Sequence, residues 1–276
     1  MSSTTWIFDS NIQPDELKLR TKSQSYAYGR RLYTFQMGQE MYWLKFHLTN
    51  TNPILQAAFQ HELSFYQSCS SDNASFLIDH QIISLAQQSS VLRDLGEGIG
   101  LVVLDSVPFF TDLNPCQPLE TIKQMIQQAL YALGELHQMG WIHGDLKVEH
   151  FRLYKNTCRL IDFEQSLQLH HQTHNLNATP HYMAPELFHG KNKSVQSDLY
   201  ALGIILYEWL TQTKLRANSY HDWAVLHCQQ LQLQVPKQLE PFLPLLKGLT
   251  QKHSEQRLCS VLDAQVLLND INLLQK

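Results

Sequence analysis

From about Leu17 to Leu48 large apolar side chains alternate with polar ones: Tyr26, Tyr28, Leu32, Tyr33 and Phe35, then Tyr42, Leu44 and Phe46. A period of two, rich in Tyr, Phe and Thr, predicts β-strands with a turn at Gln36-Met37-Gly38-Gln39. After Pro53 the pattern changes. Residues Ile54 to Tyr66 carry apolar positions at helical spacing, with Glu62 the only acidic residue between Phe46 and Ser71. Val91–Leu95 and Gly100–Asp105 read as two further strands joined by a turn at Gly96-Glu97-Gly98. Beyond Pro108 helices dominate. Leu119 to Met139 places Ile122, Met125, Ile126, Leu130, Leu133, Leu136 and His137 along one face, and Gly140 ends it. Ile204 to Leu210 is apolar nearly all round, as in a buried helix. Ser197 is a candidate cap for that helix. Helical stretches near 223–233, 239–249 and 261–274 follow.

Composition narrows the class without naming a function. With 276 residues, 43% hydrophobic and 17% charged, the chain can bury a large core in one large domain or two lobes sharing a cleft. A net charge of −4 with a pI near 6.4 leaves no footprint for nucleic acid or an anionic membrane. The longest greasy stretch, Tyr200 to Leu210, is too short to span a bilayer and contains Glu208. The N-terminus lacks the build of a signal peptide. Cys69, Cys116, Cys158, Cys228 and Cys259 are odd in number and show no CxxC spacing, so reduced thiols and a cytoplasmic location are expected. His170, His171 and His174 crowd one segment without a carboxylate or thiol beside them, which reads as a solvated loop and not a zinc site.

The candidate chemistry lies in two motifs. His143-Gly144-Asp145-Leu146-Lys147-Val148-Glu149-His150-Phe151 is followed, a short strand later, by Leu160-Ile161-Asp162-Phe163-Glu164. This pair resembles the catalytic loop and metal-binding turn of the protein kinases. Ala178-Thr179-Pro180-His181-Tyr182-Met183-Ala184-Pro185-Glu186 is close to the end of the activation segment in Ser/Thr protein kinases. Ser197-Asp198-Leu199-Tyr200-Ala201-Leu202-Gly203 matches the start of their central helix. Tyr42-Trp43-Leu44-Lys45 is similar to their lysine-bearing strand.

The resemblance runs from about Tyr26 to Leu274 and leaves no stretch for a sensor or membrane domain. It implies an α+β, bilobal protein-kinase-like fold, with a small, mainly β N-lobe carrying one helix and a larger helical C-lobe. Residues 1–276 would be one domain, with the N-lobe over about 1–106 and the C-lobe over 107–276. The implied activity is ATP-dependent transfer of a phosphoryl group to a protein Ser or Thr, with Mg²⁺ or Mn²⁺. Asp145 would accept the hydroxyl proton, Lys147 would steady the transferred group, and Thr179 would contact both. Lys45, held by Glu62, would bind the α- and β-phosphates. Ser25, Ala27 and Gly29 would line the phosphate loop, with Arg30 or Arg31 as an alternative grip. Leu104, Asp105 and Val107 would meet adenine through the hinge. Asp162 and His150 would hold metal, Asp198 would buttress the catalytic loop, and Arg257 would pair with Glu186. A protein substrate is implied, and regulation would come from another protein or from expression.

Several positions depart from the family pattern. The phosphate loop has one glycine where the family has three. Gly144 replaces an arginine that normally couples loop phosphorylation to activity, so activation by that route is not expected. His150 replaces an asparagine, and an imidazole suits Mn²⁺ or softer ions better than Mg²⁺. Arg152 stands where an apolar floor for adenine is usual: it stacks on the base, the strand register differs, or the pocket is blocked. Glu164 replaces the glycine of the metal-binding turn. These departures keep two alternatives open: a pseudokinase serving as a binding or regulatory module, and a kinase for a sugar or other small molecule, which His150-Phe151 also resembles.

Overall fold

The structure is a computed structural model and describes residues 17–69, 74–88, 90–96, 98–114, 117–169 and 178–271. The chain divides into two compact units. One takes the chain up to residue 73 together with 77–106, and the other takes 74–76 with 107 onward. The histidine-rich segment at 170–177, Glu97, Cys116 and the last residues of the C-terminal stretch lie outside the described residues.

The first unit is built on strands β1 (Lys18–Leu19), β2 (Arg30–Met37), β3 (Glu40–His47), β4 (His80–Ser84) and β5 (Ile99–Leu104). They form one antiparallel sheet in the order β1-β2-β3-β5-β4. The alternation seen in sequence sets the faces of β3. Tyr42, Leu44 and Phe46 are buried, while Lys45 between them takes the other face. Gly38, at φ +64°, makes the turn between β2 and β3, where a side chain would be strained. Among the described residues three helices accompany the sheet: α1 (Ser23–Ala27), α2 (Pro53–Ser68) and α3 (Ser90–Leu95). Asn52 caps α2 by accepting the Leu55 N–H at 3.0 Å, and Pro53 occupies the first helical position. Phe59, Glu62, Leu63 and Tyr66 then share its buried face at spacings of three and four.

Two sequence expectations are corrected here. Residues 91–95 do not form a strand; they lie in α3. His80–Ser84 pairs with β5 instead, so 91–95 have no strand partner there. Leu92 is buried while Arg93 and Asp94 are exposed, a one-sided burial that one helical turn satisfies. Gly96 and Gly98, both at positive φ, therefore lead from a helix into β5. Likewise, Ser25 to Ala27 lie in the short helix α1, not in a strand or hairpin. Arg31 holds that helix in place: its Nη1 donates to the Tyr26 carbonyl at 2.8 Å, and its guanidinium sits 3.5 Å from the Tyr26 ring centroid.

The second unit carries the short strands β6 (Val107–Pro108), β7 (Trp141–Ile142), β8 (Phe151–Tyr154), β9 (Thr157–Leu160) and β10 (Leu167–Gln168), paired as β6-β8-β9 and β7-β10. Its bulk is helical: α4 (Leu119–Gln138), α5 (Pro185–Phe188), α6 (Val195–Thr211), α7 (Tyr220–Val225), α8 (Leu243–Leu249) and α9 (Val261–Asn269). α6 is the core. It is buried almost all round and meets α8 where Gly203 lets Leu249 and Thr250 approach. The cap of α6 is Ser194, not Ser197. Ser194 Oγ accepts the Ser197 N–H and Ser197 Oγ accepts the Ser194 N–H, a reciprocal box that starts the helix one turn earlier than expected. No helix among the described residues is long and apolar enough to cross a membrane. The α+β class read from sequence is the class observed, with two short helices more in the first unit than the one expected.

Candidate active site

In the first unit, β3 presents Lys45 and α2 presents Glu62. Lys45 Nζ lies 2.7 Å from Glu62 Oε2, and the Glu62 side chain is 1% exposed. A carboxylate so buried stays ionised only beside a cation, so the pair is mutually required. Gly29 ends the connection between β1 and β2 at φ +94°, and a Cβ there would overlap the Thr51 side chain. The space above Gly29 is thus filled by the chain itself. Leu104 closes β5, and its N–H donates to the Asp79 carbonyl at 3.0 Å. The Asp105 N–H donates to the Met41 carbonyl at 2.8 Å, and Asp105 Oδ1 accepts the Trp43 indole N–H at 2.6 Å. That indole bond fixes the side chain of Asp105 at the start of the expected hinge.

In the second unit the loop after β7 is shaped by one buried carboxylate. Asp198, in the first turn of α6, accepts the His143 N–H at 2.8 Å on Oδ2 and the Gly144 N–H at 2.9 Å on Oδ1. His137 Nε2 lies 3.0 Å from the same Oδ2. Sequence periodicity counted His137 only as a face position of α4; the structure makes it a partner of the loop's anchor. Gly144, held between these bonds, sits at φ +77°. The next residue is Asp145, both of whose carboxylate oxygens are engaged. Oδ1 accepts the Thr179 N–H at 2.8 Å, and Oδ2 lies 2.9 Å from Lys147 Nζ. Thr179 therefore meets Asp145 through its backbone. Asp145 keeps partial exposure.

The turn after β9 brings a second group of polar side chains together. Asp162 adopts φ +67°, unusual for a residue with a side chain and a form of strain that persists where surroundings over-determine it. His150 Nε2 lies 3.3 Å from Asp162 Oδ2. The His150 Nδ1 is buried and has no hydrogen-bond partner among the described residues. Glu164 offers an oxygen within 4.8 Å of one on Asp162. The His150 ring stacks on His143 at 5.3 Å. Burial, reinforced by His150, lowers the His143 pKa to about 4, so its imidazole is neutral at pH 7. Its Nε2 meets the Ile161 carbonyl at 3.1 Å, linking the two motifs. Arg152 lies half-buried in β8, opposite Pro108 of β6 and Arg159 of β9.

Glu186 and Arg257 close the segment. Arg257 Nη1 and Nη2 donate to the two Glu186 oxygens at 2.7 and 2.8 Å, a bidentate pair in the interior. Of the groups around the catalytic loop, sequence reasoning missed Lys193. It comes from the link between α5 and α6, carries no motif signal, and packs against Gly144.

The sequence model of the protein kinase domain family matches residues 104–269. The chain belongs to the protein kinase family. Individual relatives are protein kinases at modest identity. A probable serine/threonine-protein kinase PknB from Lactococcus lactis is 35% identical over 133 residues, 42% of this chain and 21% of that protein. The serine/threonine-protein kinase TIO of Arabidopsis thaliana is 25% identical over 236 residues, 83% of this chain and 17% of that one. A cGMP-dependent protein kinase of Plasmodium berghei is 38% identical over 82 residues, 29% of this chain and 10% of that protein. The chain thus spans about a fifth or less of the length of these curated relatives.

Proposed function

We propose that this chain is an ATP-dependent protein kinase that transfers the γ-phosphoryl group of ATP to serine or threonine hydroxyls of another protein. The observation that carries this reading is the doubly held Asp145. One oxygen accepts the Thr179 N–H and the other faces Lys147, so the carboxylate is oriented before substrate arrives. In the reaction the substrate hydroxyl oxygen forms a bond to the γ-phosphorus while the bond to the β-phosphate bridging oxygen breaks. Asp145 takes the hydroxyl proton and ADP leaves. Lys147 balances charge on the transferred group. Lys45, fixed by Glu62, binds the phosphates of the nucleotide.

Asp162 and His150 are the residues proposed to hold a divalent metal. His150 Nε2 and the Asp162 Oδ2 beside it lie on the same edge of the imidazole and fit a mixed nitrogen and oxygen donor set. When bound, the metal shields the charge of the phosphate oxygens. In the same reading the backbone of Leu104, Asp105 and Val107 meets adenine, and Arg152 is the residue of β8 at the position of the family's adenine floor. Ser25, Ala27 and Gly29 lie on the connection expected to approach the phosphates. One observation favours a second reading, a kinase fold used as a binding module: Ser23–Ala27 form a short helix where the family has a strand of its glycine-rich hairpin.

The test is transfer from γ-labelled ATP to a generic basic protein, with Mg²⁺ and Mn²⁺ in parallel, beside Asp145→Asn and Lys45→Ala. Label on phosphoserine or phosphothreonine that both variants abolish supports the kinase. Nucleotide binding without transfer to any acceptor favours the binding module. A Mn²⁺ preference that His150→Asn removes supports His150 as a ligand.

A further inference from the structure

Gly144 leaves open a space that another side chain enters. A Cβ at this position would overlap the Gln165 carbonyl oxygen, lie 3.0 Å from Lys193 Cδ, and lie 3.3 Å from Leu167 Cδ2. Its φ of +77° also disfavours any side chain. Lys193 Cδ therefore packs where a side chain of the residue preceding Asp145 would stand. Lys193 is 7% exposed, although lysine ordinarily extends its ammonium into water. Burying that charge is costly unless carboxylates compensate it. Two do: Asp145 and Asp198 both act on Lys193 and favour its charged form, against the burial that lowers its pKa.

Charge bookkeeping around the loop explains what this cation contributes. Asp145 and Asp198 bring two negative charges, and Lys147 brings one positive charge at 2.9 Å from Asp145. Lys193 restores balance from the interior side. In the family, the position of Gly144 holds an arginine whose coupling to a phosphorylated loop was set out above; here a bare glycine and a buried lysine stand together. We propose that Lys193 is a positioning residue whose ammonium, admitted by the missing side chain at Gly144, holds Asp145 and the loop in working order without a phosphate on the activation segment. This rests on the phosphotransfer reading and adds to it a built-in cation in place of a switched one.

The experiment compares wild type with Lys193→Met, which keeps the stem and removes the charge, and Lys193→Arg, which keeps the charge. In Lys193→Met kcat is expected to fall about 10-fold or more, with the KM for ATP changed by less than about twofold. Lys193→Arg should recover part of that kcat. Phosphatase-treated wild type should retain its rate. Wild-type kcat in Lys193→Met overturns the assignment. So does an equal loss of kcat in both variants with a matching fall in Tm, since that is a packing role. So does a phosphatase-treated wild type that loses its activity. A wild type that transfers no phosphate overturns the phosphotransfer reading itself and the Lys193 role with it, an outcome distinct from an active wild type with an indifferent Lys193.

Discussion

Replacing Arg257 with methionine should unfold the second unit far more readily, and the structure sets the size of the effect. The Arg257 side chain is fully buried, and that of Glu186 is 7% exposed. Two short bonds join them, at 2.7 and 2.8 Å. Arg257 also donates from Nη1 to the Gln196 carbonyl at 2.8 Å and from Nε to the Gln251 carbonyl at 2.9 Å. Arg257→Met leaves Glu186 as a buried charge without this partner, which costs about 3–5 kcal/mol. Two carbonyls lose donors, adding about 1 kcal/mol each. Methionine recovers part of this by filling the apolar volume beside Tyr200, over which the guanidinium now sits at 4.8 Å. A net loss of about 4 kcal/mol corresponds to a fall in Tm of about 8–16 °C at roughly 2–4 °C per kcal/mol. The assay is thermal unfolding at pH 7 with urea titration as a check. Glu186→Leu combined with Arg257→Met removes both charges, so the double variant should be more stable than Arg257→Met alone. A drop of less than about 3 °C in the single variant, or a double variant no better than the single, would refute the argument that the charge pair is mutually required.

Three further outcomes follow from the same geometry. Burial lowers the His227 pKa to about 4, below the ordinary 6.5. The unfolded chain thus takes up a proton that the folded chain refuses. That stability is present above pH 6.5 and is lost as pH falls toward 4, by about 3 kcal/mol for this group. Urea unfolding at pH 7.5 and pH 5 checks it, and His227→Asn should reduce the difference by the share of this group while His143 keeps its own. Gly203→Ala would place a Cβ 2.6 Å from Thr250 Cγ2 and 2.8 Å from Leu249 Cβ. Overpacking at the α6–α8 contact should outweigh the gain in helix propensity and destabilise by roughly 1–2 kcal/mol, and a raised Tm would count against it. Gly144→Ala combines a strained φ with overlap on the Gln165 carbonyl, so both stability, by about 2 kcal/mol, and phosphate transfer should fall. Unfolding and transfer measured on one preparation test both.

What the sequence revealed and what it hid divides by the range of the interaction. Lys45 and Glu62 could be paired by reading because the strand fixed the face of the lysine and the next helix offered one carboxylate. Arg257 and Glu186 could be paired because a buried acid demands a cation and the family resemblance places one at Arg257. By contrast, the edge strand was misplaced. Both Val91–Leu95 and His80–Ser84 are short mixed segments, and only pairing with β5 separates them. The helix at Ser23–Ala27 was hidden because Arg31, several residues further along the chain, stabilises it. Ser197 was read as the cap because it opens the motif, while the reciprocal bonds with Ser194 fix the true start.

Lys193 is the instructive case. Nothing beside it in the chain marks it, and a lysine in a polar link reads as solvated. Its meaning depends on an absence elsewhere, at Gly144. Either position alone invites the wrong conclusion: Gly144 alone reads as a lost regulatory contact, and Lys193 alone as a surface charge. Together they form one unit, because a side chain on residue 144 would displace the lysine and a neutral residue 193 would leave two aspartates facing one cation. A departure from a family pattern is therefore weighed by what fills the volume it vacates. At Gly144 a buried cation fills it.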